Sequence, residues 1–138
     1  MERERACAHV CLAGEQVTCD WKLLHELARD SVLTLIARIC GLERCAAWRT
    51  ADVIVFDCSG CGGRIARPLG LVHHAFSGPI VLVDGGLSPR QVAAAYRSGI
   101  KDYFAAPYDR KLLAERIRHL CVQHVRNGTS PNRFPADG

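Results

Sequence analysis

"ADVIVFD", residues 51–57, places four consecutive apolar residues between two aspartates. A run so short and so continuous, rich in β-branched side chains, predicts a strand over 52–57 that is buried on both faces, like a central strand of a parallel sheet. A half-exposed antiparallel strand would alternate apolar with polar residues instead. Similar runs recur on either side: Ala6–Leu12, "SVLTLIA" (31–37), "PIVLV" (79–83) and "KDYFAA" (101–106).

Helix signals fill the intervals. "DWKLLHELA" (20–28) has Asp20 as N-cap and apolar residues at helical spacing. "LERCAAW" (42–48) reads as a short helix, and "RIARPLGLVHHAF" (64–76) as one broken by Pro68 and Gly70. Ser88 and Pro89 open a helix that runs to Ser98 and stops at Gly99. Asp109 caps a long amphipathic helix over 110–126, and residues 127–138 have the composition of a flexible polar tail or linker. Five strands alternating with about five helices predict an α/β domain over residues 1–126, with a doubly wound five-stranded parallel sheet. Functional residues of such sheets lie at the carboxyl ends of the strands, here just after Leu12, Phe56, Val83 and Ala105.

The bulk properties fit one soluble domain. The chain has 138 residues, 49% hydrophobic and 23% charged, and no apolar run approaches the roughly 20 residues needed to span a bilayer. Without a signal-peptide core, the expected location is the cytoplasm. A net charge of +4 is too mild to point to nucleic acid. Eight cysteines are many, but their spacing is irregular, so most are expected to be buried small hydrophobes rather than a disulfide framework.

Three segments together resemble a known family. "ADVIVFD", "PIVLVD" and "GIKDYFAAPYDRKLLAERI" are similar, in order and spacing, to the receiver domains of bacterial two-component response regulators over residues 5–126. The resemblance implies a flavodoxin-like sheet with strand order 2-1-3-4-5. It also implies phosphoryl transfer to an aspartate, with Mg²⁺, a lysine and a hydroxyl compensating the charge. Asp57 matches the phosphoacceptor and Tyr103 the aromatic that reports switching. The acidic pair falls on Leu12 and Ala13, the hydroxyl on Asp84 and the lysine on Ala106. Leu12 and Ala13 have no ligand atoms, Asp84 adds negative charge, and Ala106 removes the cation. The implied function is therefore an atypical receiver, a non-enzymatic protein-interaction module of signal transduction that does not undergo Mg²⁺-dependent phosphorylation and has no cofactor.

Other readings stay open. Asp57 with non-standard ligands would make a phosphorylatable receiver, and Glu15, Asp57 and Asp84 together would then be a weak Mg²⁺ set. Asp57 also reads as a strand-end residue capping a nearby turn, and Asp84 before Gly85 and Gly86 as turn chemistry. "CSGCGG" (58–63) offers Cys58 and Cys61 as a thiol-redox pair at a strand-to-helix turn, although the Asp57 carboxylate opposes a thiolate there. The resemblance also implies docking of a protein partner, an output domain or a second copy. The face involved is that of the fourth helix, fifth strand and fifth helix, with Arg90, Tyr96, Arg97, Lys101, Tyr103, Arg110, Lys111 and Arg118. No direct contact with nucleic acid or membrane is expected.

Overall fold

The structure, a computed structural model, describes residues 5–6, 8–61, 64–83, 86–127 and 133–134. Five parallel strands, β1 (Ala8–Ala13), β2 (Ser31–Ile36), β3 (Val53–Asp57), β4 (Ile80–Val83) and β5 (Asp102–Phe104), pair in the order β2-β1-β3-β4-β5. This is the 2-1-3-4-5 order expected, and β3 sits at its centre. Among the described residues five α-helices accompany it: α1 (Glu15–Thr18), α2 (Trp21–Ala28), α3 (Ala66–Ala75), α4 (Pro89–Ser98) and α5 (Arg110–Arg126). A two-residue antiparallel ladder joins Arg5–Ala6 to Arg133–Phe134, within the stretch expected as a tail.

Alternation along each strand divides the core in two. Cys11, Ala13, Ile54, Phe56, Ile80 and Leu82 face α3 and α4. Val10, Leu12, Val53, Val55, Val81 and Val83 face α2 and α5, where they meet Leu23, Leu27, Leu113 and Ile117. Every residue of β3 is buried, which accounts for its unbroken apolar run. Each fully buried Leu or Ile in these layers stabilises by roughly 1.5–3 kcal/mol relative to exposure.

Local signals set most boundaries. Ser88 forms a capping box with Gln91 at the start of α4, and Gly99 ends it at φ +119°, a conformation that favours glycine. Asp109 accepts from the Lys111 and Leu112 amides at the start of α5. Two expectations are corrected. Residues 42–48 are not one helix but part of two 3₁₀ turns, Ile39–Glu43 and Ala47–Thr50. The buried Trp48 indole donates to the Leu42 carbonyl at 2.8 Å, taking an acceptor that a continuous helix would use internally. Conversely, α3 is unbroken: Pro68 is its third residue, where the missing N–H has no helical partner to lose.

Candidate functional site

The carboxyl ends of β1, β3, β4 and β5 border a cleft of about 680 Å³, lined among others by Cys19, Asp20, Asp57, Ala106, Tyr108 and Arg110. Asp57 lies at its base, 2% exposed. Its Oδ2 accepts the Val17 N–H at 2.9 Å, and its Oδ1 accepts the Ser59 N–H at 2.9 Å. Val17 is in the short α1, whose N-cap Gly14 provides no side-chain cap, so Asp57 satisfies an otherwise orphan amide from the end of the neighbouring strand. The Ser59 contact closes a turn immediately after β3.

Gly14 makes this arrangement possible. At φ +122° it occupies backbone space that L side chains rarely adopt, and a Cβ there would collide with the Asp57 Cβ. The chain after β1 therefore passes directly over Asp57. Leu12 and Ala13 are fully buried in opposite core layers. Ala106 lines the cleft and is followed by a cis peptide to Pro107.

These residues do not fit the Mg²⁺ ion that the receiver fold implies. The positions for an acidic pair are apolar and buried, and each Asp57 oxygen already accepts a backbone amide. Glu15 is exposed on α1 and borders a smaller pocket with Gly14, Arg38 and Asp57. Asp84 lies outside the described residues. Among those described, no three His, Cys, Asp or Glu side chains converge to hold a metal ion.

The remaining predicted residues scatter. Tyr103 is half-buried on β5 and packs on the α3–α4 core layer instead of lining the cleft. Cys58 is buried with its thiol directed at the Val83 carbonyl, 3.6 Å away, and Cys61 is half-buried, so Cys58 lacks the exposure expected of a reactive thiol. Two members of the predicted docking face are drawn elsewhere. Arg118 pairs with Glu26 at 2.9 Å and Asp30 at 3.0 Å beside α2, and Arg110 turns into the cleft. Arg90, Arg97, Lys101 and Lys111 are exposed and form no ion pair among the described residues.

A cluster that sequence reasoning missed lines the same cleft. Asp20 accepts the Tyr108 hydroxyl at 2.7 Å and the Arg110 Nε at 2.7 and 3.0 Å on its two oxygens, while also capping the Leu23 amide. Burial alone would raise the Asp20 carboxyl, but the Tyr108, Arg110 and Leu23 hydrogen bonds outweigh it and hold the acid below its ordinary value. Burial, then the Asp20 hydrogen bond and the Asp20 and Asp57 charges, push the Tyr108 phenol above its usual range. Asp20 announced itself only as a helix cap, since its partners lie 88 and 90 residues away.

No family model and no curated protein matches the sequence. Solved structures do match in three dimensions. A two-component response regulator from Clostridium difficile is 16% identical, with 89% of this chain and 99% of that one covered, at a TM-score of 0.71. The receiver domain of Francisella response regulator 1452 is 15% identical, covering 84% of this chain and 98% of its own, at 0.68. A Burkholderia thailandensis protein assigned to pilus assembly, CpaE, is 17% identical, covering 84% and 99%, at 0.66. At these identities the likeness is one of architecture: the chain has the fold of response regulator receiver domains.

Proposed function

We propose that this chain is a receiver-type protein-interaction module of signal transduction that works without Mg²⁺-dependent phosphorylation of Asp57, has no enzymatic activity of its own and acts in the cytoplasm. The observation that carries this reading is the bonding of Asp57. A phosphoacceptor carboxylate must be accessible to the donor phosphorus with an oxygen in line, and with cations at hand to offset the charge. Here each oxygen accepts a backbone N–H and the side chain is buried. The lining residue Arg110 is neutralised by Asp20, and Ala106 supplies no charge.

The chain would then signal through its surface. Arg90 and Arg97 on α4, Lys101 before β5 and Lys111 at the start of α5 are exposed and form no ion pair among the described residues. Two copies meeting symmetrically through this patch would set like charges against each other, so an acidic protein surface fits better than a homodimer. No helix among the described residues is long and apolar enough to cross a membrane.

The test is an amide NMR spectrum of the reduced chain, titrated with Mg²⁺ and then with beryllofluoride, a phosphoryl mimic. Unchanged resonances at Val17, Asp57 and Ser59 are expected. Saturable shifts at those three amides would overturn the reading and make Asp57 an unorthodox phosphoacceptor.

A further inference from the structure

Two carboxylates of the chain itself organise the side of the molecule that carries the basic patch. Asp20 binds the Tyr108 hydroxyl and the Arg110 guanidinium, fastening the corner between β5 and α5 to the start of α2. Asp102, within β5, accepts the Tyr96 hydroxyl of α4 at 3.2 Å and the Arg116 Nε of α5 at 2.9 Å. Its Oδ1 also accepts the Tyr103 amide at 2.8 Å. One carboxylate thus ties the corner to the cleft, and the other ties α4, β5 and α5 to one another. The Asp20 side chain is only 9% exposed, and its contacts to Arg110 are short and charge-assisted, the stronger class of hydrogen bond.

Arg110 is the single cation among the described residues lining the cleft, and its charge is already matched from within. An external anion would compete with Asp20 for the Arg110 Nε and the Tyr108 hydroxyl. A ligand shifts a conformational equilibrium only by the difference in its affinity for the two states, and here the fold supplies that bias itself. We propose that Asp20 is an internal anion that holds the β5–α5 corner against the cleft, so that the α4–β5–α5 surface is set for binding by the fold rather than by modification of Asp57. This deepens the functional reading above and rests on it.

Asp20→Asn tests the inference in the full chain. Asparagine caps helices about as well as aspartate, so α2 retains its cap while the charge on Arg110 loses its partner. Amide hydrogen exchange and NMR shifts, recorded without Mg²⁺, are read at Lys101–Phe104 and Lys111–Leu113. Loss of charge-assisted contacts predicts about tenfold faster exchange at both stretches. Tyr108→Phe, which removes one hydroxyl, should give a smaller change in the same direction, and it serves alone if the asparagine variant does not fold. The double variant Asp20→Asn, Arg110→Gln should change little beyond Asp20→Asn, because one contact accounts for both effects. Changes confined to residues 19–23 and 108–111, with Lys101–Phe104 unmoved, would overturn the proposal. Beryllofluoride binding to the wild type would instead overturn the reading of Asp57 while leaving this result interpretable.

Discussion

Asp57 and Gly14 form one structural unit, although 43 positions separate them in "AHVCLAGEQV" and "VIVFD". The carboxylate serves two amides, and the glycine lets the chain come close enough to offer one of them. Replacing Asp57 by Asn puts an amide nitrogen opposite a backbone N–H and leaves a buried donor unsatisfied, which costs about 1–3 kcal/mol. Chemical denaturation should show this loss. A carboxylate held ready for chemistry, and repelled by its neighbours, would give an unchanged or more stable Asn variant. Gly14→Ala should destabilise by about 2–3 kcal/mol, from the positive φ together with the collision with Asp57. If Gly14→Ala left the denaturation midpoint unchanged, the close approach would be wrong. Thiol labelling of the native chain should modify exposed Cys19 at least about tenfold faster than buried Cys58, as accessibility governs reactivity. Equal rates, read by peptide mass mapping, would reopen the redox interpretation.

Among the elements, those written in local pattern were legible: the buried strands, the Ser88 and Asp109 caps and the Gly99 stop each depend on residues a few positions apart. The second crossover was misread because Trp48 folds back on Leu42 through a tertiary preference that composition does not reveal. The short α1 was missed because its first-turn support comes from Asp57, 40 residues beyond Val17. The Asp20 cluster was invisible for the same reason, on a longer scale. Its pH behaviour follows from the depressed acid. A carboxyl lowered on folding contributes stability above its unfolded value, near 3.8, and loses that contribution as pH falls through the lower folded value. The stability difference between wild type and Asp20→Asn should therefore be full near pH 7 and shrink below about pH 4. A difference that grew on acidification would refute the sign.

At the scale of the whole molecule, charge is distributed by role. Arg116, Arg118 and Arg110 are spent on internal pairs with Asp102, Glu26, Asp30 and Asp20. Arg90, Arg97, Lys101 and Lys111 are left facing solvent. Once a partner is captured, reversing Arg97 and Lys101 to Glu should weaken binding at least about tenfold at low salt, with much less effect near 1 M, where screening is nearly complete. Insensitivity to both changes would move the interface elsewhere. The fold should tolerate such changes because Arg97 and Lys101 are themselves exposed and outside both core layers.

The passage of Gly14 over Asp57 also constrains the mutational paths open to this chain. Introducing a carboxylate at residue 14 collides with Asp57, and introducing one at residue 12 or 13 buries a charge in a closed core layer. Each of these single steps toward an acidic site therefore costs stability. If Asp57 is unphosphorylated, as proposed, selection acting one substitution at a time would meet these costs before any gain.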